Sequence, residues 1–419
     1  MFVSVPASQT VASSPMLAPL TSSKRIPSID VLRGAIMALM ALDHVRDFFT
    51  GPMVSPVDAA HTTLSLFLTR WITHYCAPGF FLLAGMGAYL SGARGATKTE
   101  LSRFLLTRGL WLIILEFTVV SFAWTFSGSM VVSQVIFQLG LSMMVVAALV
   151  WIPNGMVAAL SLLVIFGHNL LDGIRPEHFG HLAWAWRLAH VPGPLRQGPG
   201  VAIFYLYVAV PWFAVMALGY VLGTVMMLPA ERRRRILFLI GLSASLVFIG
   251  LRGLGLYGNA QPGSGLIPSC DGTWVHYASF SRNLISFLNV EKYPPSLQYL
   301  LMTLGPELIL LSWFDRFEFG SAVGRFGKKL AVFGRVPMFF YLIHLYLIHL
   351  SALLLGLILH QPVDWLLHGG IMRGPDPHYG CSLAACYMFW LTIVGLLYFP
   401  CAWFCRLKQC SGRWWLRYL

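Results

Sequence analysis

The sequence predicts an all-α fold, a polytopic integral membrane helix bundle with about ten transmembrane helices. Three observations carry this reading. Of 419 residues, 57% are hydrophobic and only 11% charged, whereas roughly 25% are charged in a soluble domain. The apolar residues gather into runs such as LLTRGLWLIILEFTVVSFAW (105–124) and MVVAALVWI (144–152). These are too continuous for ordinary core helices, and about 20 such residues suffice to cross a bilayer. Finally, Lys and Arg recur in alternate loops, the pattern that sets membrane topology.

Residues 1–24, rich in Ser, Pro and Ala and without the cleavage pattern of a signal peptide, read as a disordered cytoplasmic tail. A transmembrane domain follows over 25–407, with spans expected near 28–50, 64–92, 104–126, 131–151, 154–171, 203–227, 236–255, 297–314, 331–355 and 384–405. Residues 408–419 form a cytoplasmic C-terminal tail. Lys24 and Arg25, then Arg94, Lys98 and Arg103, then Arg232 to Arg235, then Arg325, Lys328 and Lys329, then Arg406 and Lys408 all fall on one side. That side is the cytoplasm if both termini are inside. The formal charge of +13 therefore reads as topology, and nucleic acid is not an expected partner. The three long outer loops, near 172–202, 256–296 and 356–383, carry Trp, Tyr, His, Gly and Pro and suit a lid or a substrate entrance. Trp184, Trp186 and Trp274 there could stack on sugar rings, although interfacial belts use tryptophan equally well.

The seven cysteines show neither a metal-like Cys-x-x-Cys pair nor a dense disulfide framework. Cys401 and Cys405 share a helical face, as packing residues do. Cys270 and Cys381 both fall in outer loops, where a disulfide between them is possible. No metal is expected, since no helix carries an i,i+4 His pair or a His-Glu motif.

Ionisable residues inside spans mark functional sites by default. The first span, SIDVLRGAIMALMALDHVRDFF (28–49), holds several. Arg33 and His44 are eleven residues apart, close to three turns, so they share a face at a separation of roughly 16 Å along the axis. Asp43 is placed to pair with Arg46 at i,i+3 or to orient an imidazole on a neighbouring helix. In the second span, TRWITHYCAPGFFLLAG (69–85), Arg70 and His74 share a face, while Pro78 and Gly79 free backbone groups. The ninth carries His344 and His349 about 140° apart around the axis, with His344 the better site candidate and His349 facing the outer interface beside Tyr346. Glu116 and His168 are further buried ionisable groups, either of which could be a structural pair member, and both rank low as site candidates. Several histidines at one depth fit either a general base for group transfer or a proton relay.

SIDVLRG (28–34), the Arg33-to-His44 spacing, THYCAPGFFLLAG (73–85), KYPPSLQYLLMTLGPELILL (292–311) and GRVPMFFYLIHLYLIH (334–349) occur in that order. Together they resemble the bacterial membrane proteins related to the heparan-alpha-glucosaminide N-acetyltransferase catalytic domain, within the transmembrane acyltransferase superfamily. The resemblance implies an enzyme that passes an acyl group, acetyl by this likeness, from cytoplasmic acyl-CoA (acetyl-CoA) to a sugar or amino-sugar acceptor at the outer face. It also implies the bacterial inner membrane as location. Arg33 and His44 match the Arg-x10-His motif of the membrane O-acyltransferases, in which the histidine is essential. The glucosaminide N-acetyltransferase looks to have asparagine at that helical position and its active histidine before the second span, where the nearest residue here is His61. His44 and His61 are thus both candidates for the catalytic histidine.

The expected roles are catalytic for His44, Asp43 and His74, donor binding for Arg33, and acceptor binding for Arg70, His344 and His61. The alternative class is a transporter or flippase for a lipid-linked sugar or small solute. Helices broken at the midplane and inverted halves would favour it.

Overall fold

The structure, a computed structural model, describes residues 26–51, 55–128, 130–196, 202–260, 272–317, 322–368, 376–411 and 413–419. The expected tail over 1–24 and Cys270 lie outside them. The described chain is overwhelmingly helical. In order come α1 (Pro27–Phe49), α2 (Leu64–Thr73), α3 (Cys76–Gly92), α4 (Lys98–Thr125), α5 (Val135–Leu149), α6 (Asn154–Leu171) and α7 (Ala209–Met226). They are followed by α8 (Ala230–Gly253), α9 (Phe280–Leu288), α10 (Leu297–Phe314), α11 (Ala322–Arg335), α12 (Pro337–Ile358) and α13 (Leu383–Cys410).

Seven of these, α4, α6, α7, α8, α10, α12 and α13, are long and apolar enough to cross a membrane. Their outward faces carry large apolar side chains, among them Leu110, Leu163, Leu246, Leu354 and Phe399, which only a lipid environment accommodates in such number. The chain is an integral membrane protein. The expected count of about ten is not reproduced by these criteria, and the differences have physical causes. The first helix, α1, carries Asp30, Arg33, Asp43, Arg46 and Asp47, too many charges for a lipid-facing segment, and it is buried on most of its surface. Helix α5 is apolar but has only 15 residues.

The expected span at 64–92 is divided between α2 and α3. Pro78 has no N–H to give the carbonyl of His74 one turn earlier, so that oxygen is orphaned. The Tyr299 hydroxyl of α10 donates to it instead, at 2.7 Å. The expected span at 331–355 starts at Pro337, the first position of α12, where a missing N–H costs nothing. Residues before it belong to α11, a separate helix whose Arg325, Lys328 and Lys329 are exposed. In α4 a π segment, Glu116–Val120, interrupts the α-helix and turns the Glu116 carboxylate onto the backbone N–H of Phe137 at the start of α5, at 2.8 Å.

Helix α1 is the hub, in contact with α2, α3, α10, α11, α12 and α13. Its closest crossing is with α11. A Cβ on Gly34 would lie 1.9 Å from the Leu330 carbonyl oxygen, and one on Gly334 would lie 1.9 Å from that of Asp30. The two backbones therefore touch only because both positions are glycine, the small-residue packing expected of helices in lipid.

A small three-stranded sheet, absent from the expected all-α pattern, is made of Met130–Ser133, Gly193–Arg196 and Ala202–Tyr205. The third strand lies between the other two, parallel to the first and antiparallel to the second. These segments are only four residues long, too short to register against the helical pattern around them. Nearby, buried Arg252 at the end of α8 donates to the carbonyls of Ser286 and Asn289 at 2.8 Å and so ties down the segment that leads to Lys292.

Candidate functional site

The polar residues of α1 divide between two of its faces, because adjacent residues are turned about 100° apart. Asp43 faces α2. Its carboxylate accepts from the Arg70 guanidinium at 2.6 and 2.8 Å and from the Thr73 hydroxyl at 2.9 Å, and lies 3.0 Å from Arg46. Arg46 also pairs with Asp47. The expected Asp43–Arg46 pair is thus present, but Asp43 is engaged by two arginines and orients no imidazole.

His44 faces α12 and α4. Its Nδ1 is 2.8 Å from Nε2 of His344, and its ring meets the edge of Trp124 at 4.8 Å. The other nitrogen of His344, Nδ1, faces the carbonyl oxygens of Tyr341 at 2.6 Å and Phe340 at 3.1 Å. A carbonyl only accepts, so His344 Nδ1 carries the proton and, in a neutral ring, His344 Nε2 is the acceptor. His44 Nδ1 must then be the donor. The remaining nitrogen, His44 Nε2, is left with a lone pair and makes no hydrogen bond among the described residues. A relay of two hydrogen bonds thereby fixes the tautomer of His44 as a base, as a carboxylate or carbonyl does behind many functional histidines. His344, the expected acceptor-binding residue, is hydrogen-bonded to His44. His349 is fully buried and held by the carbonyls of Ala123 and Leu366 at 2.8 and 3.0 Å. This corrects its expected place at the outer interface and agrees with its separation from His344.

Below this pair lies a cavity of about 260 Å³, walled by apolar residues of α1, α3, α4, α5 and α12. Tyr341 lines it, and the Tyr341 ring is 5.3 Å from that of His344. Arg33 and Arg108 line it as well. Arg33 is held by the carbonyls of Gly334 at 3.1 Å and Leu83 at 3.3 Å. One chamber therefore has two guanidiniums among its lining and a histidine pair beyond its tyrosine wall. The axial distance from Arg33 to His44 is the roughly 16 Å that their spacing dictates.

Other expected site residues are distributed as follows. Arg70 joins the Asp43 cluster. His74 is buried beside Tyr299, with ring centroids 5.5 Å apart, and neither of its ring nitrogens has a partner among the described residues. His61 is exposed and bonds Asp58 at 2.7 Å, apart from the cluster; that hydrogen bond holds the Asp58 carboxyl below the ordinary carboxylate range. His168 bonds the Pro295 carbonyl at 2.8 Å, a structural role. Trp186 is occupied by Phe179 and by the Ile174 carbonyl, and Trp274 by His276 and Phe287, whereas Trp184 is exposed.

The family described as heparan-alpha-glucosaminide N-acetyltransferase, catalytic, matches residues 25–262, more than half of the chain. The chain belongs to this family. Its membership makes it a membrane protein of acyltransferase type. None of the curated proteins matches it. The matched stretch holds Arg33, Asp43, His44, His61, Arg70, His74 and Arg108; His344 lies beyond it and reaches His44 only through the fold.

Sequence reasoning missed Arg108 and Lys292. Arg108 stands alone within the apolar run 105–115, and a charge in that setting was the available signal. Lys292 falls in the outer loop expected near 256–296. In the structure it is buried, with its ammonium 5.1 Å from the Tyr293 ring centroid, and its charge bears on both Asp43 and His44. No local pattern marks a loop lysine as buried.

Proposed function

We propose that this membrane acyltransferase takes its acyl group, acetyl in the first instance, from acyl-CoA on the cytoplasmic side. It passes that group to a sugar or amino-sugar acceptor at the opposite face. On this reading the end of the bundle bearing Arg94, Arg103 and the four-arginine run is cytoplasmic, and so are both termini. The observation that carries the proposal is the chamber with Arg33 and Arg108 in its lining and the His44–His344 pair beyond Tyr341. Guanidiniums suit the phosphates of a CoA donor, and apolar walls suit its thioester arm.

The chemistry follows from the fixed tautomer. The acceptor's amine or hydroxyl attacks the thioester carbonyl carbon, the C–S bond breaks, and CoA leaves as its thiolate. His44 Nε2 takes the proton that the acceptor loses. The same lone pair serves if His44 is itself acylated first and the acceptor attacks second. Lys292, whose charge bears on His44, adds positive charge that a developing oxyanion would favour.

Arg108 tests the donor half. Arg108→Ala is expected to raise KM for acetyl-CoA about 10- to 100-fold, the effect of losing a charged hydrogen bond of about 1.5–3 kcal/mol. Turnover at saturating donor should stay close to that of the unsubstituted protein. An acetyl-pantetheine donor, which lacks the nucleotide phosphates, should not distinguish the two proteins. An unchanged KM for acetyl-CoA would remove Arg108 from the donor site.

A further inference from the structure

Two cysteines outside the proposed machinery lie side by side where the far end of α1 is strapped to α13. Cys381 is in the segment that precedes α13, and Cys386 is in the first turn of that helix. Their sulfurs are 3.7 Å apart. Cys386 is buried and Cys381 is half-buried, so one thiol is open to reagents and the other is reachable through it.

The strap is built to be held. The Cys381 backbone N–H donates to the Phe49 carbonyl at 2.8 Å. Gly380 passes so close to Gly51 that a Cβ on it would lie 2.1 Å from the Gly51 nitrogen. The Tyr379 hydroxyl donates to the Ala352 carbonyl of α12 at 2.8 Å. On the α13 side, Phe389 packs on Phe49 with ring centroids 4.6 Å apart, and Trp390 donates to the Ala38 carbonyl at 2.7 Å. Both cysteines therefore belong to one clasp around the end of the helix that carries Asp43 and His44.

We infer that Cys381 and Cys386 are a thiol–disulfide exchange site, closed into an intramolecular disulfide by a small disulfide oxidant of the glutathione class. From 3.7 Å the sulfurs need approach by only about 1.7 Å to reach the ~2.0 Å of a covalent bond, a distance side-chain torsions supply. The hydrogen bond between the two sulfurs holds the Cys381 thiol below its ordinary range and favours it as the attacking thiolate. The Cys381 thiolate attacks one sulfur of the oxidant, forming a mixed disulfide and releasing one thiol. The Cys386 thiolate then attacks the Cys381 sulfur, forming the 381–386 bond and releasing the second. Two cysteine thiols are oxidised, the oxidant's S–S bond is reduced to two thiols, and the two cysteine protons pass to the leaving thiolates. Closure welds the strap to α13.

The test treats the full-length protein in detergent with oxidised glutathione, alkylates the remaining thiols and maps peptides without reduction. The expected product is a 381–386 link about 2 Da lighter than the dithiol, with neither cysteine alkylated. In Cys386→Ser the glutathione adduct should persist on Cys381, and Cys270→Ser should leave the 381–386 link intact. The inference is overturned if both cysteines are still alkylated after oxidation. It is overturned equally if a stable glutathione adduct remains on Cys381 of the unsubstituted chain, or if Cys381 links to Cys270.

Discussion

Replacing His44 with alanine is expected to lower the turnover number for acyl transfer by about 10²- to 10⁴-fold, the range over which a general acid–base group contributes. The KM for acyl-CoA should stay near that of the unsubstituted protein, because the guanidinium of Arg33 lies about 16 Å down the helix from the imidazole. The size of this loss follows from the relay behind the imidazole. Tyr341 and Phe340 carbonyls fix the His344 tautomer, His344 fixes that of His44, and only His44 Nε2 is left to act. His344→Ala should therefore cost less, about 10- to 100-fold, as loss of a group behind a functional ligand typically does. His344→Gln, whose amide oxygen can accept from His44 Nδ1, should restore part of that loss. A merely structural His344 would show no such rescue. The same assay on His61→Ala separates the two candidate histidines: if that variant is inactive and His44→Ala is active, the catalytic assignment moves to His61.

The second large effect is on stability. Asp43→Asn is expected to destabilise the fold by about 3–5 kcal/mol, the cost of removing one partner from a buried ion pair. Asp43 is the carboxylate shared by Arg70 and Arg46, both of which are nearly buried, with Lys292 close by. Without its charge, Arg46 keeps Asp47 as a partner while Arg70 loses the carboxylate it bonds. Thr73 can still donate to the asparagine, so lost charge rather than lost hydrogen bonding dominates. Adding Arg70→Gln to Asp43→Asn removes one unpaired cation and should recover part of the stability, a coupling that a double-mutant cycle measures directly. Thermal unfolding of the purified variants in one detergent reads the effect. Equal melting temperatures for Asp43→Asn and the unsubstituted protein would show that the cluster is not a stability element.

Much of this architecture was legible in the sequence. Long apolar runs gave the all-α membrane bundle, and helical spacing put Arg33 and His44 on one face. The same spacing kept His344 and His349 apart, and the Pro78 break fell where a proline removes a backbone donor. Periodicity says which residues of a helix share a face, but not which helix that face meets. His44 and His344 are 300 residues apart, so their hydrogen bond had no local signature, and the pairing of the two rings was not legible. The Asp43 carboxylate was legible as an i,i+3 partner of Arg46. Its stronger partner, Arg70, comes from the next helix and so depends on tertiary packing. The same limit hid Arg108, which reaches Arg33 only because α4 and α1 line one cavity, and Lys292, a loop residue whose burial and nearness to Asp43 and His44 depend on tertiary packing.

The most direct test of the central claim is a sided assay in proteoliposomes of uniform orientation, with radiolabelled acetyl-CoA confined to the face bearing the four-arginine run and glucosamine to the other. Free CoA on the donor side and N-acetylated glucosamine on the opposite side are expected in equal amounts, both reduced by about 10²- to 10⁴-fold in His44→Ala. Glucosamine crossing the bilayer unmodified, with no release of CoA, would contradict that claim and would favour a transporter.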